Sequence, residues 1–151
     1  MIAVIQRVLS ASVVADGAPS GAGGRGLLIL LGVGREDGEE DCLLLAEKIS
    51  KLRIFTDENG KMNLSVKDIG GDAVVVSNFT LLANYAHGNR PDYLNAAPPS
   101  DANRLYEHFV RLLSERIAHV GTGVFGADMQ ISMEADGPVT IVMDSAVLRK
   151  K

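Results

Sequence analysis

The sequence predicts an α+β domain built on mostly antiparallel or mixed β-sheets. Three observations lead there. Segments that read as strand, strand, helix, strand, helix, strand and strand follow one another without the strict alternation of a doubly wound parallel sheet. Two stretches carry apolar side chains at helical spacing. Glycine, 16 of 151 residues, clusters between short runs of Val, Ile and Leu, which is the punctuation of short strands. No repeat, low-complexity tract or long linker divides the chain, so residues 1–151 read as one domain. A chain of this size buries enough surface to fold without a metal or disulfide staple.

Residues 2–15 are rich in Val and Ile and form one long strand, or two joined by a bend, ending at the Asp16-Gly17 turn. Residues 27–33 are apolar on both faces, as a central strand covered on both sides must be. Asp37, Glu39, Glu40 and Asp41 open a helix where its positive end favours acids. Cys42, Leu45, Ala46, Ile49 and Leu52 form its buried stripe, with Glu47, Lys48 and Lys51 on the other face. Residues 57–60 turn, and residues 73–77, with Val74, Val75 and Val76, form a short buried strand. Residues 84–99 are irregular and hold three of the five prolines; a loop this long inside a small domain is usually functional. Ser100 is the candidate N-cap of a second helix whose stripe is Leu105, Phe109, Leu112, Leu113 and Ile117. Residues 130–134 and 139–143, joined by Ala135-Asp136-Gly137-Pro138, have the pattern of a hairpin.

Composition removes several function classes. One cysteine forms no internal disulfide, which fits a reducing compartment. The first ten residues lack the basic-then-apolar order of a secretory signal. The longest apolar run, residues 27–31, falls far short of the ~20 residues of a membrane span. The expectation is a cytoplasmic protein with no membrane partner. Fifteen Lys and Arg against 19 Asp and Glu give a net charge of −4, which opposes a broad grip on nucleic acid.

Common catalytic signatures are missing: no phosphate loop, no Cys-x-x-Cys, no His-Glu-x-x-His, and no metal-ligand spacing among His87, His108 and His119. Gly32-Val33-Gly34 follows a strand but lacks the third glycine of a dinucleotide fingerprint. His108 reads as a helix-flank residue, His119 as a complement to the helix end, and Cys42 as a small core residue. Two segments call for more. Ser77-Asn78-Phe79-Thr80-Leu81 follows a buried strand. Its hydroxyls, amide and backbone N–H groups suit a developing oxyanion, or alternatively form a polar strand exit capped by Ser77 or Thr80. Gly137-Pro138-Val139-Thr140 exposes bare backbone, because glycine removes a side chain and proline a donor; an ordinary turn has the same pattern.

Together these segments resemble the D-aminoacyl-tRNA deacylase family, formerly the D-tyrosyl-tRNA deacylases, and the resemblance covers nearly the whole chain. It runs through Ile5-Gln6-Arg7-Val8, Ala11-Ser12-Val13, Gly26-Leu27-Leu28, Leu31-Gly32-Val33 and Lys51-Leu52-Arg53-Ile54-Phe55. It continues through Gly60-Lys61-Met62-Asn63-Leu64-Ser65, Gly88-Asn89-Arg90-Pro91, Thr122-Gly123-Val124-Phe125-Gly126-Ala127-Asp128-Met129 and Asp136-Gly137-Pro138-Val139-Thr140.

The resemblance implies a compact barrel-like domain with two main flanking helices, acting as a homodimer without metal or other cofactor. It implies hydrolysis of the ester joining a D-amino acid, or achiral glycine, to the terminal adenosine of tRNA, with L-aminoacyl-tRNA spared. The partner is then the aminoacyl-tRNA 3′ end, and no DNA is expected. Ser77, Asn78, Phe79 and Thr80 become the catalytic segment, with the N–H groups of Phe79 and Thr80 as oxyanion donors and the tRNA 2′-hydroxyl as helper. Thr80 as a covalent nucleophile is the competing mechanism, and it lacks a visible base. Gly137 and Pro138, joined by a cis bond, form a chiral gate reaching into the partner subunit's pocket, supported by Val139, Thr140 and Arg7. His87, Phe125, Gly126 and Met129 are expected to bind substrate.

Three positions depart from the family pattern. Asn78 stands where glutamine is usual, His87 where lysine is common, and Ala135 where asparagine is usual. They motivate a second reading, a weakened paralogue that binds aminoacyl-tRNA 3′ ends without efficient cleavage. A third is a small-ester hydrolase using Thr80. For an acidic chain, tRNA binding calls for a local basic rim, which Lys48, Lys51, Arg90, Arg149, Lys150 and Lys151 are placed to supply.

Overall fold

The computed structural model describes residues 1–149. The elements in order are β1 (Ile2–Ala15), β2 (Ala18–Gly23), β3 (Gly26–Gly32), α1 (Glu39–Lys51), β4 (Phe55–Thr56), β5 (Met62–Leu64) and β6 (Asp72–Ser77). A 3₁₀ turn (Phe79–Leu82), α2 (Pro99–Ser114), β7 (Val120–Thr122), β8 (Met129–Asp144) and α3 (Ser145–Arg149) complete them. The main sheet runs β2-β1-β3-β6-β7, with β8 paired to β1 as well. Pairings of β1 with β2, β3 and β8 are antiparallel, and β3–β6 and β6–β7 are parallel. The sheet is therefore mixed, as expected.

The sheet curls until its ends nearly meet. A Cβ on Gly21 of β2 would sit 2.4 Å from the carbonyl oxygen of Thr122 in β7, so this closure requires glycine. His119 joins the same seam, its Nε2 lying 2.8 Å from the Ala22 carbonyl oxygen rather than serving the end of α2.

Two cores result. One lies between the sheet and α1 and α2, where Ala3, Ile5, Leu27, Ile29, Leu31, Leu45, Ile49, Leu105 and Phe109 are buried. The other fills the barrel, where Val8, Ala11, Val13, Leu28, Val74 and Val76 meet. β3 serves both by alternation, which explains its unbroken apolar run. β1 serves both by changing phase. Val8 pairs with Ala135 and Ser10 with Glu134, so Leu9 is an extra residue on β1. That bulge turns the side chains from Ala11 onward into the barrel.

The structure corrects several expectations. The hairpin over 130–143 is a single strand, β8, antiparallel to β1 along its length. Its Gly-Pro step is a protrusion between two paired halves, and local pattern does not separate that from a turn. Ser100 is the second residue of α2, whose cap position is Pro98. Proline suits the first helical turn because its missing N–H has no partner there in any case. β2 and the β4–β5 hairpin have too little apolar pattern to be read from sequence. Lys48 and Lys51 are both exposed on α1, whereas Arg149 pairs with Asp41. Lys150 and Lys151 lie outside the described residues.

Asp41 ties the chain's late segment to α1. It is 2% exposed. Its carboxylate accepts from the Ser145 hydroxyl at 2.6 Å and from the Gly38 N–H at 2.8 Å, and it pairs with Arg149 at 3.3 Å. Burial pushes its pKa up, but the Ser145, Gly38 and Arg149 interactions together outweigh burial and hold it below 3.8. A depressed folded-state pKa contributes stability that is complete above the unfolded value and lost as pH falls through the folded one. Thermal unfolding followed from pH 6 to pH 2 should therefore show an acid-side loss of Tm, shallower in Asp41→Asn. An unchanged slope in that variant would remove Asp41 from the account.

Candidate active site

A cleft of about 680 Å³ opens where β6 ends. Ser77, the last residue of β6, pairs with Leu31 of β3, and the Asn78 N–H donates to the Leu31 carbonyl at 2.8 Å. The strand then passes straight into the 3₁₀ turn Phe79–Leu82. In such a turn the first donors have no partner within the turn. Among the described residues, the N–H groups of Phe79 and Thr80 have no hydrogen-bond acceptor, while the Leu81 N–H reaches the Asn78 carbonyl at 3.4 Å. The bare N–H pair sits beside Ser77, Asn78 and Phe79, all of which line the cleft.

Neither Ser77 nor Thr80 caps this turn through its side chain. The Thr80 hydroxyl donates to the Asn78 side-chain oxygen at 2.5 Å. It is thus occupied by an amide, which cannot take its proton as a base would. The shorter Asn78 still lines the cleft and orders Thr80.

The opposite wall comes from the segment after β7, where Phe125, Gly126 and Met129 line the cleft. Phe125 leans toward Tyr106 of α2, with ring centroids 6.3 Å apart. The Tyr106 hydroxyl is fixed in turn by donating to the Val75 carbonyl at 2.9 Å. Burial, with the negative charge of Glu107 adding to it, pushes that hydroxyl's pKa up to about 12 and keeps it a donor. Met129 also packs against the barrel core. His87 does not join them. An Asn84–Asp92 bridge closes off residues 85–91, and His87 is exposed within that excursion, outside the cleft lining.

Sequence reasoning missed Tyr93, Arg35 and Asp128 as lining residues. Tyr93 meets Phe79 edge-on, at 4.9 Å and 74°, and braces a ring that is 56% exposed. The length of the loop 84–99 was the only signal for Tyr93, and it does not single out a residue. Cys42 takes no part: burial first, then the charge of Asp41, pushes its thiol up to about 12, and the thiol donates to the Leu105 carbonyl.

The Gly137-Pro138 segment lies elsewhere. Two steps along β1, from Gln6 to Val8, are matched by five along β8, from Thr140 to Ala135, so the residues between are pushed out of the ladder. The Gly137–Pro138 bond is cis, and Gly137 is exposed at the protrusion. Arg7 holds the base of the protrusion. Its Nε lies 3.0 Å from the Asp136 carbonyl oxygen and 3.2 Å from Oδ2, and its Nη1 donates to the Ile54 carbonyl at 2.8 Å. The Thr140 hydroxyl donates to the Gln6 side-chain oxygen at 2.8 Å, and Val139 packs on the helix-side core. A Cβ on Gly137 would stand 2.1 Å from the Val139 nitrogen, so no larger residue fits this backbone.

None of Arg7, Gly137, Pro138, Val139 and Thr140 lines the cleft. Thr140 pairs with Gln6, Gln6 with Leu28 and Leu28 with Val74, three residues short of Ser77. Three strand spacings of ~4.8 Å and three steps of ~3.3 Å separate the protrusion from Ser77 of its own chain.

Among known proteins, the pattern of a family described as D-Tyr-tRNA(Tyr) deacylase matches residues 4–144. A D-aminoacyl-tRNA deacylase of Anaeromyxobacter dehalogenans is 57% identical over 145 residues, covering 96% of this chain and 97% of its own. One of Thermotoga petrophila is 53% identical over 148 residues, covering 98% and 99%. Among solved structures, a c-Myc DNA Unwinding Element Binding Protein superposes with a TM-score of 0.89 at 40% identity, covering 95% of this chain and 98% of its own. A probable eukaryotic D-amino acid tRNA deacylase superposes at 0.81 over 94% of this chain and 97% of its own; at 14% identity this likeness bears on the fold alone.

The contacts of Arg7 generate one expectation. Arg7→Ala should speed amide hydrogen exchange in peptides spanning residues 135–140, lowering their local opening free energy by about 1.5–3 kcal/mol, the worth of a hydrogen bond from a charged group. Unchanged exchange there would mean that Arg7 does not hold the protrusion.

Proposed function

Since the chain belongs to the D-Tyr-tRNA(Tyr) deacylase family, we propose that its β6 cleft hydrolyses the ester of D-aminoacyl-tRNA, releasing D-amino acid and tRNA and sparing L-aminoacyl-tRNA. The observation that carries this reading is the pair of unpartnered N–H groups on Phe79 and Thr80 beside the cleft. Water attacks the ester carbonyl carbon, and the oxygen that gains charge is met by donors already in place. Collapse of that intermediate breaks the bond to the ribose oxygen, which leaves with a proton. The neighbouring 2′-hydroxyl of the tRNA positions the water, so the chain needs no base of its own. Phe125, Gly126 and Met129 shape the wall against which the esterified adenosine and its amino acid rest. His87, exposed on its loop, meets the tRNA outside the cleft.

Chirality needs a different device. D and L side chains contain the same atoms, so apolar burial does not tell them apart, and rejection requires a clash. Gly137 and Pro138 supply it as backbone, which has no rotamer by which to move aside, with Val139, Thr140 and Arg7 as supports. Achiral glycine carries no side chain to clash, so glycyl-tRNA passes as well. The distance between protrusion and cleft within one chain supports a gate donated by a second copy, and hence a homodimer. The exposed Ile131, Met133 and Val142 on β8, which pairs along only one edge among the described residues, suit that contact. We place the enzyme in the cytoplasm as one domain over residues 1–151. Its nucleic-acid partner is the tRNA 3′ end rather than DNA, because a net charge of −4 disfavours a broad phosphate grip. Among the described residues, no helix is long and apolar enough to cross a membrane.

Incubation with D-tyrosyl-tRNA and L-tyrosyl-tRNA tests the reading: release from the D ester only is expected, and equal or absent release from both overturns it. Gly137→Ala, which forces a Cβ onto the Val139 nitrogen, should lower the D rate or admit the L ester; an unchanged rate and chirality would remove the gate. Thr80→Ala should keep most of its deacylation rate, whereas loss of a covalent nucleophile costs kcat on the order of 10⁶-fold, as in a serine protease.

A further inference from the structure

The catalytic cleft adjoins three smaller grooves, and a polynucleotide esterified at its end has to leave along one of them. The groove that shares Asp128 and Met129 with the cleft is lined by the carboxylates of Asp16 and Asp128 and by no cation. The groove that shares Arg35 is lined by Glu36, Asp37 and Asp144, and its second arginine, Arg149, is paired to Asp41. The first offers phosphate no cation, and in the second Glu36, Asp37 and Asp144 offset Arg35, Arg149 and the Met1 ammonium. The third, about 530 Å³, lies between α2 and the end of β7 and shares Phe125 with the cleft.

Its lining differs in kind. Asn103, Glu107 and Arg111 stand at successive turns of α2, on the face that borders the groove. Val110 and the rings of Tyr106 and Phe125 give it an apolar, aromatic lining. Thr122 and the backbone of residues 122–124 form the far side. Arg111 is exposed and pairs with no carboxylate among the described residues; its guanidinium lies 3.4 Å from Nδ1 of His108. Glu107 is exposed and likewise forms no ion pair among them. Free hydrogen-bonding side chains beside aromatic surface are what single-stranded RNA recognition uses. The volume also falls in the range of small-molecule sites, about 300–1,000 Å³.

We infer that this groove is the subsite for the nucleotide preceding the esterified adenosine, a cytidine in the CCA end of tRNA, with Glu107 and Asn103 reading its base and Arg111 holding the phosphate that joins the two. The inference rests on the deacylase reading. The Glu107 carboxylate accepts from the cytosine N4 amino group, which uracil replaces with a carbonyl that it repels. The Asn103 amide offers both a donor and an acceptor to the rest of that edge. Phe125 separates the two sites, with the adenosine on one side and the cytidine on the other. None of Asn103, Glu107 and Arg111 belongs to the catalytic segment or the gate, so the ester-cleaving machinery does not depend on them.

Three small substrates separate this subsite from the catalytic cleft: adenosine, CpA and UpA, each carrying a D-tyrosyl ester on the terminal ribose, with D-tyrosyl-tRNA as reference. The wild type should cleave the CpA ester with a lower KM than the adenosine ester. It should prefer CpA to UpA by about tenfold in kcat/KM, the worth of one charge-assisted hydrogen bond. Glu107→Ala should erase the preference for cytidine. Arg111→Gln should raise KM for the CpA and tRNA esters, leave the adenosine ester unchanged, and lower the salt slope of tRNA binding by about 0.7, the share of one phosphate contact to a single strand. Equal kcat/KM for all three small esters in the wild type overturns the subsite, as does a variant that slows the adenosine ester as much as the CpA ester. A wild type that cleaves none of the four substrates overturns the deacylase reading, and the subsite with it.

Discussion

One strand has to satisfy two cores, and most of the molecule follows from how it does so. β1 buries Ala3 and Ile5 against the helices, then Val8, Ala11 and Val13 inside the barrel. A regular strand points alternate residues to fixed faces, so that change of allegiance needs a break in phase. Leu9 supplies it as a bulge. The partner strand β8 follows the same path, placing Ile141 and Met143 opposite the first half of β1 and Met129 opposite the second. At Leu9 the extra residue lies on β1, whereas between Gln6 and Val8 it is β8 that has chain to spare. That second surplus is the Gly137-Pro138 protrusion, the segment proposed as the chiral gate.

The proposed division of labour between gate and cleft has a physical logic. The cleft holds backbone N–H groups at the end of a buried strand, where neighbouring ladders fix their direction. Charge developing on an ester oxygen meets donors that need no reorganisation. Discrimination of a D from an L centre is assigned to backbone as well, with Arg7 tying its base to the Asp136 and Ile54 carbonyls. Rigid groups suit both tasks, and that accounts for the lack of a nucleophile–base pair: the Thr80 hydroxyl faces the Asn78 amide instead.

Electrostatics are local. The chain carries a net charge of −4, and several cations are spent on acids: Arg7 on Asp136, Arg104 on Glu39, Arg116 on Glu47 and Glu115, and Arg149 on Asp41. Arg35 and Arg111 border the cleft and its neighbouring groove without such partners among the described residues. A protein of this kind is suited to a short terminal segment of tRNA rather than to a long duplex surface, because each phosphate it holds needs its own free cation.

The sequence by itself determined the mixed α+β class, the buried strands around Ile29 and Val75 and both helix stripes, and it singled out residues 77–80 and 137–140 as the segments on which the proposed function rests. Those features are local: periodicity, β-branched runs and turn chemistry are written in neighbouring residues, and the family resemblance covers them in order. It did not reveal that residues 129–144 form one strand, because a protrusion between two paired halves and a hairpin have the same pattern until the partner strand is known. β2, poor in apolar residues, is defined only by its pairing with β1 and its approach to Thr122. The cleft likewise joins Ser77, Tyr93 and Phe125 from distant stretches of chain. The tertiary structure alone decided that Arg7 reaches Asp136, that Tyr93 braces Phe79, and that Arg111 stands free beside the cleft, since each depends on which surfaces meet when the two cores close.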